Sequence, residues 1–443
     1  MVARADPTDN TRVAMRERVR ARGHEERLAE ALTRLYARVP LGMRLGLEPM
    51  RAACARAGHP EDAFACVHVA GTNGKGSVSM LVASAAQASG RRTGLYTSPH
   101  LARFAERFRI DGVPLDDDAF VAAIEEALDV GHDLSFFETA TLTAFLAFRS
   151  AGVSLAVLEV GLGGRLDATN VIGASHVRAS VVTRIAFDHQ DRLGHTLTAI
   201  AMEKASIAKA GVPMVVGRVP PEARAEIVRV ANAHGATLVH VDETPGLPVD
   251  ARALSRPPGE YQVENVEVAL LTCRVLGLEA HVAEGFAAAI WPGRFEWLET
   301  SDGPFLLDAA HNPDGAAGLV LSIDHALVER PPAWPEGASL TGRPRALVFG
   351  SLADKSYADT LPIVARIAAK RFYTVPRGRA AAAPEELAVL AAGVACRDLA
   401  DALRRAREAV GADGVVVVCG SVYLVGEARA LLTKAPMDPP VAL

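Results

Sequence analysis

The 443 residues are enough for two domains, each able to bury its own core. Half of them are hydrophobic and 22% are charged, the balance of an ordinary globular enzyme. A net charge of −5 offers no general attraction for nucleic acid or an acidic membrane, and no uncharged apolar run reaches the ~18 residues needed to cross a bilayer. Partners are therefore expected to be small molecules, with no nucleic acid and no membrane. Five scattered cysteines (Cys54, Cys66, Cys273, Cys396, Cys419) form no Cys-x-x-Cys pair. They read as buried thiols in a reducing cytoplasm, not as a disulfide framework or a zinc site.

In chain order, residues 1–39 are rich in arginine and glutamate and lack the apolar core of a secretory signal. The first ten read as disordered, and Arg12–Arg38 as one or two amphipathic helices, so residues 1–40 form an extension. Strand-like runs follow at Phe64–Val69, Thr93–Thr97, Ser154–Val160, Val177–Ile185, Val212–Gly217 and Thr237–Val241. Helical patterns separate most of them, at Ser77–Ala88, Asp117–Val130, Glu138–Arg149, Thr196–Ala210 and Pro221–Ala233. Val263–Leu276 and Val282–Ile290 complete the unit. This alternation predicts an α/β fold with a mostly parallel sheet covered on both faces.

Near Trp291–Arg294 the pattern breaks, and a second alternation begins at Phe305. Strands are expected at Phe305–Ala309, Arg345–Phe349, Phe372–Val375 and Val415–Cys419. Helices are expected at Gly315–Val328, Tyr357–Ala369, Pro384–Ala392, Leu399–Val410 and Val422–Leu432, with Arg330–Pro344 as a long surface loop. The chain thus divides into an N-terminal phosphate-loop domain, 1–296, and a smaller Rossmann-like doubly wound domain, 297–443.

The chemistry concentrates after strands, where open α/β sheets bind ligands. Ala70-Gly71-Thr72-Asn73-Gly74-Lys75-Gly76-Ser77 lies between a strand and a helix, the order that places backbone N–H groups against a polyphosphate. Lys75 would reach the outer phosphates and Ser77 a magnesium ion. The loop departs from the usual pattern: Val69 stands where an early glycine is expected, and Gly76 separates Lys75 from Ser77. A ligand-free glycine turn is the plain alternative. Glu159 closes an apolar strand, where a carboxylate is costly unless paired or metal-bound. Magnesium and a structural ion pair with Arg165 both satisfy it. His189 reads as a base or hydrogen-bond partner, since it would be an unusual ligand for a hard cation. Gly161–Gly164 is half of a dinucleotide fingerprint without its helix. Lys204 reads as a solvated helix lysine, and Lys355 after Asp354 as a surface pair.

Longer motifs then appear in order: HVAGTNGKGSV at His68–Val78, TSPHL at Thr97–Leu101, ERFRIDG at Glu106–Gly112 and LEVGLGGRLDATN at Leu158–Asn170. They continue with DHQDRLGHTL at Asp188–Leu197, EKASIAKAGVP at Glu203–Pro213, PGRFE at Pro292–Glu296, LLDAAHNPDG at Leu306–Gly315 and GSVYLVGEAR at Gly420–Arg429. On these motifs the chain resembles the folylpolyglutamate synthase/dihydrofolate synthase family of the Mur ligase superfamily, from about Leu41 to Arg429. The extra Gly76 is a mark of that family.

The resemblance implies an ATP-dependent ligase that adds L-glutamate to dihydropteroate or reduced folates through an acyl phosphate. By similarity, Asn73, Gly74, Lys75, Gly76, Ser77, Asn265, Arg294 and Asp308 would bind ATP. Ser98 and Glu159 would hold one Mg2+ and His189 would serve a second. Lys204, as a carbamate, would supply oxygen ligands, reversing the reading from its pattern. His311 and Ser421 match the region of the incoming glutamate. Lys75, Lys204, His189, Asp308 and His311 carry the catalytic expectation. Acceptor contacts are expected from Arg44-Leu45-Gly46-Leu47 and from Phe137-Glu138-Thr139, although Arg44 replaces a common acidic residue and Asp354-Lys355-Ser356 departs from Asp-Lys-Asp. A monomer is expected. The competing classes are a Mur-type ligase for another carboxylate, a nucleotide switch or kinase built on the same loop, and an inactive relative.

Overall fold

The computed structural model describes residues 26–39, 46–244, 258–378 and 380–438, with Gly23 and Leu254. The first ten residues, Arg44 and Leu45 lie outside them. Two sheets organise the chain. The first contains β1 (Ala65–Ala70), β2 (Thr93–Tyr96), β3 (Phe108–Ile110), β4 (Val113–Pro114), β5 (Leu155–Glu159), β6 (Val177–Val182), β7 (Pro213–Val216) and β8 (Thr237–His240). Their spatial order is β4-β3-β2-β5-β1-β6-β7-β8. All neighbours from β2 to β8 run parallel, and β3 and β4 add an antiparallel edge.

Period-2 alternation explains why the central strands are apolar throughout. In β1, Val67 and Val69 pack with helices Lys75–Ala88, Tyr261–Val275 and Val282–Ala288, while Cys66 joins the opposite core under Asp117–Val130 and Phe136–Ser150. In β5, Leu155 and Val157 take the first face, Ala156 and Leu158 the second. A strand buried on both sides has no position for a solvated residue.

The second sheet contains β9 (Glu296–Thr300), β10 (Gly303–Leu307), β11 (Arg345–Phe349), β12 (Lys370–Tyr373), β13 (Val394–Ala395) and β14 (Val415–Cys419), ordered β13-β12-β11-β14-β10-β9. Only β9 is antiparallel. The helices Asp117–Val130 and Leu399–Val410 begin and end where the pattern placed them.

Three expectations need correction. The hairpin β3–β4 and the edge strands β9 and β13 have too few alternating residues to stand out. Helix Lys75–Ala88 starts two residues early, because Gly74 takes the left-handed conformation and caps it directly. The segment Arg330–Pro344 is anchored, not a plain surface loop: Trp334 is 4% exposed, stacks on Phe295 at 5.1 Å and donates its Nε1–H to the Phe295 carbonyl. Trp334→Ala should therefore destabilise the second unit by about 3–5 kcal/mol in chemical denaturation.

All five cysteines are free and buried. His68 is also buried, on β1, with Nε2 2.7 Å from Thr169 Oγ1, and burial pushes its pKa down to about 3. An unfolded histidine titrates near 6.5, so the unfolded chain binds the extra proton first as pH falls. This residue should remove about 2 kcal/mol of stability between pH 7 and pH 5, and His68→Gln should flatten that part of the melting-temperature profile.

Candidate active site

The carboxyl ends of both sheets face one cavity of about 1280 Å3. The phosphate loop forms its floor. Gly74 has φ +87°, and a Cβ there would fall 2.1 Å from Asn265 Oδ1, so only glycine admits this close approach. The first intrahelical bond runs from Val78 N–H to Gly74 O at 2.9 Å. The N–H groups of Lys75, Gly76 and Ser77 therefore stand in the first turn, where a helix has no internal acceptors. Lys75 Nζ donates to Thr72 O at 3.1 Å, which holds the ammonium over the loop. Gly76 lies beneath Trp291, and Ser77 is 4% exposed.

Glu159 ends β5 beside this loop and is 5% exposed. Its Oε2 accepts the Ser98 N–H at 3.0 Å. Burial pushes its carboxyl pKa up, and Lys75 opposes that shift. The ion pair with Arg165 does not form: Arg165 pairs with Glu203 at 2.9 Å. Among the described residues no cationic side chain bridges Glu159. A buried carboxylate beside a serine and a phosphate loop is a donor set suited to a hard divalent cation.

The glycine turn after β5 wraps an internal carboxylate, not a dinucleotide. Asp167 accepts N–H bonds from Gly161, Leu162 and Thr169, each at 3.0 Å.

Lys204 is not solvated. It is 5% exposed, its Nζ donates to Gly71 O at 3.0 Å, and burial with Lys75 nearby lowers its pKa to about 7. Its helix, Leu197–Ala205, turns Ile200, Ala201, Lys204 and Ala205 to the interior. The lysine occupies a core position of an apolar stripe.

A cluster absent from the sequence expectations sits opposite. Lys355 Nζ lies 3.0 Å from both Asp188 Oδ1 and His189 Nε2, so the surface-pair reading of Lys355 is overturned. Burial would raise the Asp188 carboxyl, but Lys355, His189 and His311 together hold it well below the usual carboxylate range. Burial lowers the His189 pKa, with Asp188 opposing. Facing an ammonium donor, Nε2 of His189 carries its lone pair. His311 lies with Nδ1 2.9 Å from Ala309 O, so Nδ1 bears the proton and Nε2 is the acceptor. Burial and Lys355 lower the His311 pKa to about 4, and the ring is neutral at pH 7.

The second unit closes the cavity. Asn73 and Asn312 exchange amide bonds at 3.2 and 3.1 Å, and Asn73 Nδ2 also reaches Asp314 at 2.7 Å. Arg184 ties Asp314 to Glu264 at 3.0 and 2.6 Å. The Asn73 bonds join residues about 240 positions apart and the Arg184 bonds residues 130 and 80 apart, which no local pattern announces. Asp308 is buried and accepts from Tyr261 Oη–H at 2.6 Å, Phe295 N–H at 2.8 Å and Ala310 N–H at 2.9 Å. Arg294 and Asn265 line the same cavity, and Ser421 caps the helix Val422–Thr433 at its wall.

On the acceptor side, Phe137 and Glu138 line the cavity. Glu138 is committed to the helix start, accepting from Ser135 N–H at 2.8 Å and Oγ–H at 2.6 Å. Thr139 is fully buried beneath it, bonded to Ser135 O and Arg38, and is not part of the wall. Gly46 and Leu47 are likewise not part of the wall.

The Mur ligase middle-domain model matches residues 69–243, and the Mur ligase glutamate-ligase-domain model matches residues 293–422. The chain is 34% identical over 412 residues to the folylpolyglutamate synthase of Lacticaseibacillus casei, covering 85% of this chain and 91% of that protein. It superposes with TM-score 0.82 on Mycobacterium tuberculosis folylpolyglutamate synthase complexed with ADP, at 29% identity, covering 94% and 100% of the two chains. A bifunctional folylpolyglutamate synthase/dihydrofolate synthase with Mn, AMPPNP and L-glutamate bound matches at TM-score 0.76 and 30% identity, covering 89% and 95%.

Proposed function

Since this chain belongs to the folylpolyglutamate synthase/dihydrofolate synthase family of Mur ligases, we propose that its two sheets divide one reaction between them, residues 1–296 activating the acceptor with ATP and 297–443 presenting the amine. The protein is an ATP-dependent ligase that joins L-glutamate to folates, and it uses a divalent metal. The observation that carries the division of labour is the convergence of the phosphate loop, Glu159, Lys204, Lys355 and His311 on one cavity.

Lys75 and the first-turn N–H groups bind the outer phosphates and stabilise charge on the phosphoryl group as it moves to the acceptor carboxylate. Asn265, Arg294 and Asp308 take the rest of the nucleotide. Ser98 and Glu159 suit one Mg2+, and His189 serves a second. The metal, when bound, neutralises phosphate charge and aligns the reacting oxygens. Lys204, buried with a depressed pKa, is the amine type that adds CO2 to become a carbamate, and its oxygens would then join the metal ligands.

The acceptor lies along Phe137, whose ring offers a stacking face to a flat pterin. Glutamate enters beside His311 and Ser421. Neutral His311 offers Nε2 as a hydrogen-bond acceptor that orients the amine, whose free form displaces phosphate from the acyl phosphate while the closed second unit excludes water. The reading includes a monomer in a cytoplasmic setting, the setting being in keeping with five buried cysteines that form no disulfide.

The test is ADP release with Mg-ATP and L-glutamate, run separately on 7,8-dihydropteroate and tetrahydrofolate, with products weighed by mass spectrometry. Turnover on both acceptors is expected. Turnover on one restricts the specificity, and none on either would transfer the ligase to a different carboxylate acceptor.

A further inference from the structure

On the acceptor side of the cavity one buried cation is left without a counterion. Arg107 immediately precedes β3, and its carbonyl accepts the Thr97 N–H at 3.0 Å, which pins it beside the loop that carries Ser98. The residue is 4% exposed. Its Nε–H donates to His100 Nδ1 at 3.1 Å, and the guanidinium carbon lies 4.6 Å from the centre of the Phe104 ring and 5.7 Å from that of Phe136. The side chain lines the cavity, yet its two Nη groups find no acceptor among the described residues. Nearby carboxylates are engaged elsewhere. Glu106 accepts the N–H groups of Leu101, Ala102 and Arg103, while Asp117 and Asp438 pair with Arg103. Glu159 accepts from Ser98 and forms no ion pair with Arg107. A buried charge left unpaired is costly, and an anionic ligand would supply the missing partner.

We propose, on the strength of the folate-ligase reading, that Arg107 binds the glutamate carboxylate of a folate acceptor that is not being activated, and so sets the preference for acceptors that already carry glutamate. A pteroate has one carboxylate, the reacting one. A folate has two on its terminal glutamate, and whichever is phosphorylated leaves the other as a spectator anion. The reacting carboxylate must reach the phosphoryl group held by Lys75, so the spectator lies a few bonds back, toward the pterin. Arg107 bridges those two regions. Through His100 it is bonded to the loop of Ser98, and its guanidinium packs on Phe136, the neighbour of the ring assigned to the pterin. The free edge of the guanidinium is a planar fork that matches a carboxylate with two parallel bonds. Phe104 and Phe136 hold its plane, so little side-chain freedom is lost on binding.

The experiment compares KM and kcat for tetrahydrofolate, its two glutamate monoamides and 7,8-dihydropteroate, in the wild type and in Arg107→Met, whose stem still packs on the rings. The monoamide that is still elongated has lost the spectator charge alone. In the wild type its KM should exceed that of tetrahydrofolate by about thirtyfold or more, with kcat little changed. Arg107→Met should erase that discrimination, and its loss on tetrahydrofolate should exceed any loss on dihydropteroate by about tenfold or more. Arg107→Lys, which keeps the charge without the fork, should fall between the two. An elongated monoamide with the KM of tetrahydrofolate in the wild type would overturn the assignment while leaving the ligase intact, and that result needs no variant. Equal losses on both acceptors in Arg107→Met would also overturn it, placing the guanidinium on the phosphate or in the fold. Wild-type protein that elongates no folate would remove the folate reading, and this role of Arg107 with it.

Discussion

Lys75→Ala will lower glutamate-dependent ADP release by about 10²–10³-fold or more. The ammonium is tethered to Thr72 O at the start of the helix, where the proposed site would hold the outer phosphates. Charge on the transferring phosphoryl group is greatest in the transition state, so the loss should fall on kcat more than on nucleotide affinity. Alanine is a better helix former than lysine, so folding should be intact and the melting temperature close to that of the wild type. Separating kcat from KM for ATP makes the test specific. Turnover near the wild-type rate would remove the phosphate-loop assignment.

Lys204→Ala is expected to be nearly as damaging, for a different reason. The amine sits against Gly71 O with its pKa depressed, so a useful fraction is neutral near pH 7 and able to add CO2. The proposed carbamate would convert a repelling cation into an anionic oxygen ligand in the cavity that Glu159 also lines. Turnover should fall by at least about tenfold to a hundredfold, the usual cost of losing support at a metal site. Added bicarbonate should leave the variant inactive but restore wild-type protein depleted of CO2. Carbon-13 spectroscopy with labelled bicarbonate should show a carbamate signal in the wild type and none in the variant. A fully active Lys204→Ala enzyme, or wild type without that signal, would leave Lys204 as a structural donor to the loop.

The two lysines show how much of the site a sequence reader could reach. Lys75 was plain because strand, glycines and helix are contiguous. Lys204 was misread as solvated because charge was weighed above position: it follows Ile200 by four residues and precedes Ala205, which places it on the buried stripe. Lys355 follows β11, where strand-end reasoning applies, but its neighbour Asp354 supplied an easy surface explanation. Its true partners, Asp188 and His189, are about 166 residues away. A longer separation, 239 positions, hides the Asn73–Asn312 pair. In the fold, β-strands buried on both faces were evident from their unbroken apolar runs. The hairpin β3–β4 was not, since Phe108–Ile110 is three residues long with an arginine at its centre.

The helix Val422–Thr433 rests directly on the first unit. A Cβ on Gly426 would fall 2.0 Å from Leu101 O, and beyond the helix Asp438 accepts the Phe104 N–H while its own N–H donates to Ala102 O. Leu101–Phe104 continues from Ser98 and His100, so the wall that carries Ser421 and the loop that carries Ser98 are joined mechanically. If the proposed sites for acceptor and glutamate are right, opening one end of the cavity should move the other. Loading of glutamate and departure of the product would then share one opening, repeated for each residue added. Chain growth should accordingly be distributive, with intermediates of every tail length free in solution.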